Sequence, residues 1–139
     1  MKIHHIGLWV RDLEMMKSFY EDYFGLKAGV KYINDSKGFS SYFLYDSDPY
    51  GGAIEIMYQK EIPDTDDTKH KGVQPGLAHL AFDLENPQQV RDLTEKLREA
   101  GCEVQSEARV TGDGYVESVV IDPEGNLLEL VAALKNAGR

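Results

Sequence analysis

The chain has 139 residues, room for one compact domain with a sizeable core, and its 42% hydrophobic and 28% charged residues are the balance of a water-soluble fold. A net charge of -9 without a basic patch argues against nucleic acid and anionic membrane surfaces as partners, and no apolar run reaches membrane-spanning length. The single Cys102 excludes an intrachain disulfide and makes a thiolate metal site a poor prospect; the start, Met1-Lys2-Ile3-His4-His5, lacks the apolar block of a signal peptide, so a cytoplasmic location is expected.

In chain order, residues 3–10 alternate and predict a strand. Asp12 is placed to cap a helix whose apolar face is Met16, Phe19, Tyr20, Tyr23 and Phe24, stopped by Gly25. Strands are expected near 28–34 and 39–45, then a turn over Asp46 to Gly52, then a strand over 53–58. Residues 60–75 are polar, mixed in charge and without period, and read as an exposed connector. The pattern restarts with a strand at 77–83. Asn86, Pro87 and Gln89 then open a helix with Val90, Leu93, Leu97 and Ala100 inward and Gly101 at its end. Strands follow near 103–108, 115–121 and 127–132, the last preceded by the turn Asp122-Pro123-Glu124-Gly125.

Four ionisable side chains interrupt these apolar strands: His5, Glu55, His79 and Glu129. Alternation puts Glu129 on the side of Leu127 and Val131, where an unpaired carboxylate needs a proton, a cation or a metal. One strand histidine or glutamate is ordinarily a hydrogen-bonded core or edge residue; the spacing is what joins these four. His5 stands 7 residues before Asp12 and 50 before Glu55, and His79 stands 7 before Asn86 and 50 before Glu129. The chain is therefore expected to be an α+β fold of two tandem βαβββ modules, forming a curved mixed β-sheet cleft with helices outside. Module one is 1–59, the connector 60–75 and module two 76–134 of a single domain, 1–139. Two such units related by a pseudo-twofold would bring the four side chains to one divalent ion; two imidazoles and two carboxylates suit Zn²⁺, Ni²⁺, Co²⁺ or Mn²⁺.

Other residues have competing readings. Alternation points His4 away from His5 and makes it structural, with a shifted register and His4 as ligand the alternative. His70 reads as solvated. Trp9, Phe43, Tyr45 and Met57 are cleft lining or plain core; Arg11, Lys37, Arg109 and Tyr115 are anion grips or surface residues; Cys102 is a buried, inert thiol.

The motifs together resemble the vicinal oxygen chelate superfamily, which includes glyoxalase I, fosfomycin-resistance thiol transferases, bleomycin-binding proteins, methylmalonyl-CoA epimerase and extradiol dioxygenases. They are His5 with Val10, Asp12-Leu13 and Phe19-Tyr20; Ala53-Ile54-Glu55; Gly76-Leu77-Ala78-His79-Leu80-Ala81-Phe82; and Asp122-Pro123-Glu124-Gly125-Asn126-Leu127-Leu128-Glu129. Each is weak alone; together they cover nearly the whole chain. The His-Glu-His-Glu set looks like glyoxalase I (lactoylglutathione lyase). The resemblance implies a metal-dependent isomerisation of a 2-oxoaldehyde–thiol hemithioacetal to a 2-hydroxyacyl thioester, with Glu129 as base and Glu55 as second proton carrier. It also implies a homodimer in which His5 and Glu55 of one chain face His79 and Glu129 of the other, with a site closed within a single chain as the alternative. A different metalloenzyme on the same scaffold (thiol transferase, dioxygenase or epimerase) and a protein that sequesters a small molecule are the alternatives.

Overall fold

The computed structural model describes residues 1, 3–48, 51–62 and 75–134. The predicted connector therefore lies mostly outside the described residues, and His70 lies wholly outside them. The chain divides into two compact units, Met1–Thr65 and Asp66–Arg139. Both are α+β, each a mixed sheet with one helix, and each follows the βαβββ order. No helix among the described residues is long and apolar enough to cross a membrane.

The first unit opens with β1 (His5–Trp9) and α1 (Leu13–Phe24). The Asp12 side chain accepts a hydrogen bond from the Met15 N–H at 2.9 Å. Gly25 ends the helix at φ 67, where its N–H and that of Leu26 reach back to the Glu21 and Tyr20 carbonyls. The single strand expected over 28–34 is instead two short pieces, β2 (Lys27–Ala28) and β3 (Tyr32–Asn34). Both pair antiparallel with β4 (Phe39–Tyr45). Gly29 still donates to the Phe43 carbonyl at 2.9 Å, but Val30, solvent-exposed, takes no part in the ladder, and pairing resumes at Tyr32. A short 3₁₀ turn, Asp35–Lys37, leads into β4, and β5 (Ala53–Gln59) lies between β4 and β1, parallel to β1.

The second unit repeats the plan with β6 (Leu80–Asp83), α2 (Pro87–Glu99), β7 (Val104–Val110), β8 (Tyr115–Ile121) and β9 (Leu127–Ala133), in sheet order β6-β9-β8-β7. Again the first and last strands are parallel neighbours. The Asn86 side chain accepts from the Gln89 N–H at 3.0 Å, while Gln89 Oε1 accepts from the Glu85 N–H at 3.1 Å. This reciprocal cap, with Pro87 in the first turn, is the predicted helix start. The other end differs slightly: Ala100 caps the helix and is exposed, and Gly101 follows at φ 93.

One face of each sheet packs on its helix. In the first unit Leu13, Met16, Phe19 and Tyr20 of α1 are buried with Leu44 and Ile56. In the second, Val90, Thr94 and Leu97 of α2 are buried with Val116, Ser118, Val120, Leu128, Leu130 and Ala132. Thr94 is the unexpected core member. Its Oγ1 donates to the Val90 carbonyl at 2.6 Å and lies 2.7 Å from Ser118 Oγ, so two buried hydroxyls satisfy one another. The opposite face of each sheet is less buried, and it carries the ionisable side chains.

Candidate metal half-sites

Parallel pairing of the first and last strands explains how each histidine meets its glutamate. In the β1–β5 register Gly7 stands opposite Glu55, and in the β6–β9 register Ala81 stands opposite Glu129. His5 comes two residues earlier on the same face of β1, and His79 comes two residues earlier, one residue before β6 begins; each lies within diagonal reach of its glutamate across the ladder. His5 Nε2 is 3.5 Å from Glu55 Oε2, and His79 Nε2 is 3.6 Å from Glu129 Oε2. The two histidine side chains are 37% and 42% exposed, the two carboxylates 16% and 20%, so each pair is open to an incoming ligand on the imidazole side.

The structure brings the predicted residues together as these two pairs. Among the described residues no group of three or more His, Cys, Asp or Glu side chains is gathered as a metal cage. Three sequence expectations change in detail. His79 sits immediately before β6 rather than within it. Glu129 stands with Leu127 and Val131 as alternation predicts, but that face is the open one rather than the helix-packed face of Leu128 and Leu130, so its carboxylate is half-buried and not buried. His4 does not turn away from His5: their Nδ1 atoms are 2.8 Å apart and the rings meet edge to face at 5.1 Å. Alternation failed there because His4 precedes the strand, where the pleat no longer fixes side-chain direction.

The surroundings are aromatic in the first unit and charged in the second. Phe43, paired with Glu55 across β4–β5, lays its ring 5.1 Å from that of His5 and 6.2 Å from that of Tyr45. Met57 lies against Gly7: a Cβ there would come within 2.8 Å of the Met57 Cε. Trp9 remains 53% exposed and touches Phe39. Tyr32, Asn34, Lys37, Phe39 and Gln59 line an open hollow, which gives Lys37 a place beside a cavity. In the second unit Arg109 Nη1 lies 3.8 Å from Glu117 Oε2. Burial lifts the Glu117 carboxyl above the usual carboxylate range; the charges of Glu129 and Asp113 add to this, while Arg109 and His79 oppose it. Glu117 was missed as a neighbour of Glu129, although the alternation of Val116, Ser118 and Val120 sets it on the opposite face.

The donor set suits a divalent ion. Ligands about 2.1 Å from one ion stand about 3.0–3.4 Å apart, close to the separation within each pair. A nitrogen and a carboxylate oxygen at that distance form no tight hydrogen bond, and leave lone pairs to offer.

The sequence model of the Glyoxalase/Bleomycin resistance protein/Dioxygenase superfamily matches residues 2–130. The chain belongs to that superfamily. A Bacillus subtilis (strain 168) relative, "Uncharacterized protein YqjT", is 32% identical over 94% of this chain and 98% of its own length. A lactoylglutathione lyase of Salmonella typhimurium is 29% identical over 100% of this chain and 97% of its own. The crystal structure of glyoxalase I from Zea mays shares the fold at a TM-score of 0.76 and 22% identity, covering 96% of this chain and 45% of that one.

Proposed function

We propose that the protein is a glyoxalase I-like isomerase that depends on a divalent metal and converts a 2-oxoaldehyde–thiol hemithioacetal to a 2-hydroxyacyl thioester. One observation carries the reading: the same His–Glu pair, at the same spacing, closes at the same register in both units. The full-length similarity to a lactoylglutathione lyase supports it.

In this reading His5, Glu55, His79 and Glu129 hold one ion, Zn²⁺, Ni²⁺, Co²⁺ or Mn²⁺. They come together in a homodimer, His5 and Glu55 of one protomer with His79 and Glu129 of the partner subunit. The bound ion supplies Lewis-acid stabilisation of the negative charge that builds on the substrate oxygens. Glu129 removes the proton from the carbon bearing sulfur, and Glu55 carries the proton delivered to the neighbouring carbon. No atoms are gained or lost, as an isomerisation requires. The apolar flank of Leu127 and Val131 limits the water that competes for the Glu129 carboxylate.

The test is a spectrophotometric assay with methylglyoxal and a panel of thiols across the four ions, on wild type and Glu129→Gln. An amide oxygen still approaches the ion but cannot accept the carbon proton. Turnover should fall by about 10²–10⁴-fold while metal stays bound, and Glu55→Gln should cost less. Wild-type turnover in Glu129→Gln, or no turnover by wild type of any adduct, would contradict the mechanism.

A further inference from the structure

We infer that His4 is a positioning residue for His5: it accepts a hydrogen bond from His5 Nδ1–H and so leaves the His5 Nε2 lone pair facing Glu55. The inference rests on the reading of His5 as a metal ligand. Two imidazole nitrogens 2.8 Å apart share a single proton, because two protons would clash and two lone pairs would repel. The proton therefore belongs to one of two arrangements. If His4 donated it, His5 would carry its own proton on Nε2, where no lone pair would remain for an ion. That Nε2–H would then point at the Glu55 carboxylate, and such charge-assisted bonds close to about 2.7–2.9 Å. The observed separation is 3.5 Å. The short contact is at Nδ1 and the long one at Nε2, which puts the proton on His5 Nδ1.

His4 is well held for this task although it precedes β1. Its carbonyl accepts from the Ala53 N–H at 3.2 Å, which ties its backbone to β5. The Phe43 ring backs both imidazoles, with centroids 6.4 Å from His4 and 5.1 Å from His5. Histidine ligands are commonly oriented by a partner on the other ring nitrogen, which fixes the tautomer and raises ligand basicity. Among the described residues the device is seen in one half only: the residue before His79 is Ala78, whose side chain can accept nothing. The two half-sites are therefore unequal, and the His5 side is the pre-oriented one.

Two readouts on wild type, His4→Ala, His4→Gln and His5→Ala test this. The first is the long-range ¹H–¹⁵N spectrum of the metal-free protein with both rings neutral, which reports the His5 tautomer without any metal. The second is zinc affinity by chelator competition. Wild-type His5 should carry its proton on Nδ1, and His4→Ala should shift it toward Nε2. Zinc affinity of His4→Ala should fall about 10–100-fold, the usual cost of losing such a partner. His4→Gln, whose amide oxygen can accept the same bond, should recover much of both. His4 is exposed and outside the strand, so the fold should survive all three changes at that end. A wild-type His5 protonated on Nε2, or wild-type tautomer or zinc affinity in His4→Ala beside a weakened His5→Ala, overturns the inference alone. Wild-type zinc affinity in His5→Ala overturns the ligand assignment and takes the inference with it.

Discussion

At positions 55 and 129 a carboxylate stands on the open face of a sheet with an imidazole at 3.5 or 3.6 Å. These pairs were legible in the sequence because strand alternation and an internal repeat test the same residues twice: a chance histidine does not recur with its glutamate 50 residues on. His4 and Glu117 were not legible in the same way. The direction of His4 depends on chain entry into β1, and the environment of Glu117 depends on which strand lies beside β9. Cys102, expected to be a buried and inert thiol, is only partly buried. Burial, with a contribution from the Asp122 charge, pushes its thiol above the usual range, so less thiolate is present at neutral pH. Reaction of Cys102 with a disulfide reagent should be slower in the folded protein than in urea-unfolded protein, with the two rates converging once the pH is high enough to ionise the thiol in both states. Equal rates at neutral pH would show that the thiol is not protected.

At the scale of elements, both helices were legible from their caps, because Asp12 and Asn86 announce a start by a local hydrogen bond that needs no tertiary partner. Strand boundaries were less so. The β2–β3 break and the register shifts between β7 and β8 arise from pairing with a neighbour, which a single strand's pattern does not encode. The inward choice of Thr94 over Ala100 is similar, since a threonine enters a core only when a partner such as Ser118 is waiting. Thr94 Oγ1 gives its proton to the Val90 carbonyl, so Ser118 supplies the proton of the bond between the hydroxyls. Thr94→Val strands the buried Ser118 hydroxyl and should cost about 1–3 kcal/mol in urea denaturation. Ser118→Ala leaves Thr94 its bond to Val90 and should cost less. The double variant should be more stable than the sum of the two losses predicts, because no hydroxyl is then left unpaired. Additive losses would show that the two hydroxyls act independently.

For the whole molecule, the repeat gives each unit one His–Glu pair, and among the described residues no larger group of metal-binding side chains is gathered. Each βαβββ unit provides one imidazole and one carboxylate, and a divalent ion with room for substrate asks for more donors than one unit has. On the proposed account the ion joins two units from two protomers, so sedimentation should show a homodimer that loosens when metal is stripped; a monomer with tightly bound metal would rule out the shared arrangement. The account stands most directly on the number of ions bound. After metal-replete expression, elemental analysis should give one divalent ion per chain in the wild type. His5→Ala and His79→Ala, one from each half-site, should each abolish that ion, because all four donors serve it. Two ions per chain, with each variant losing only one, would show that the pairs bind separately, and a wild type without bound metal would contradict the account altogether.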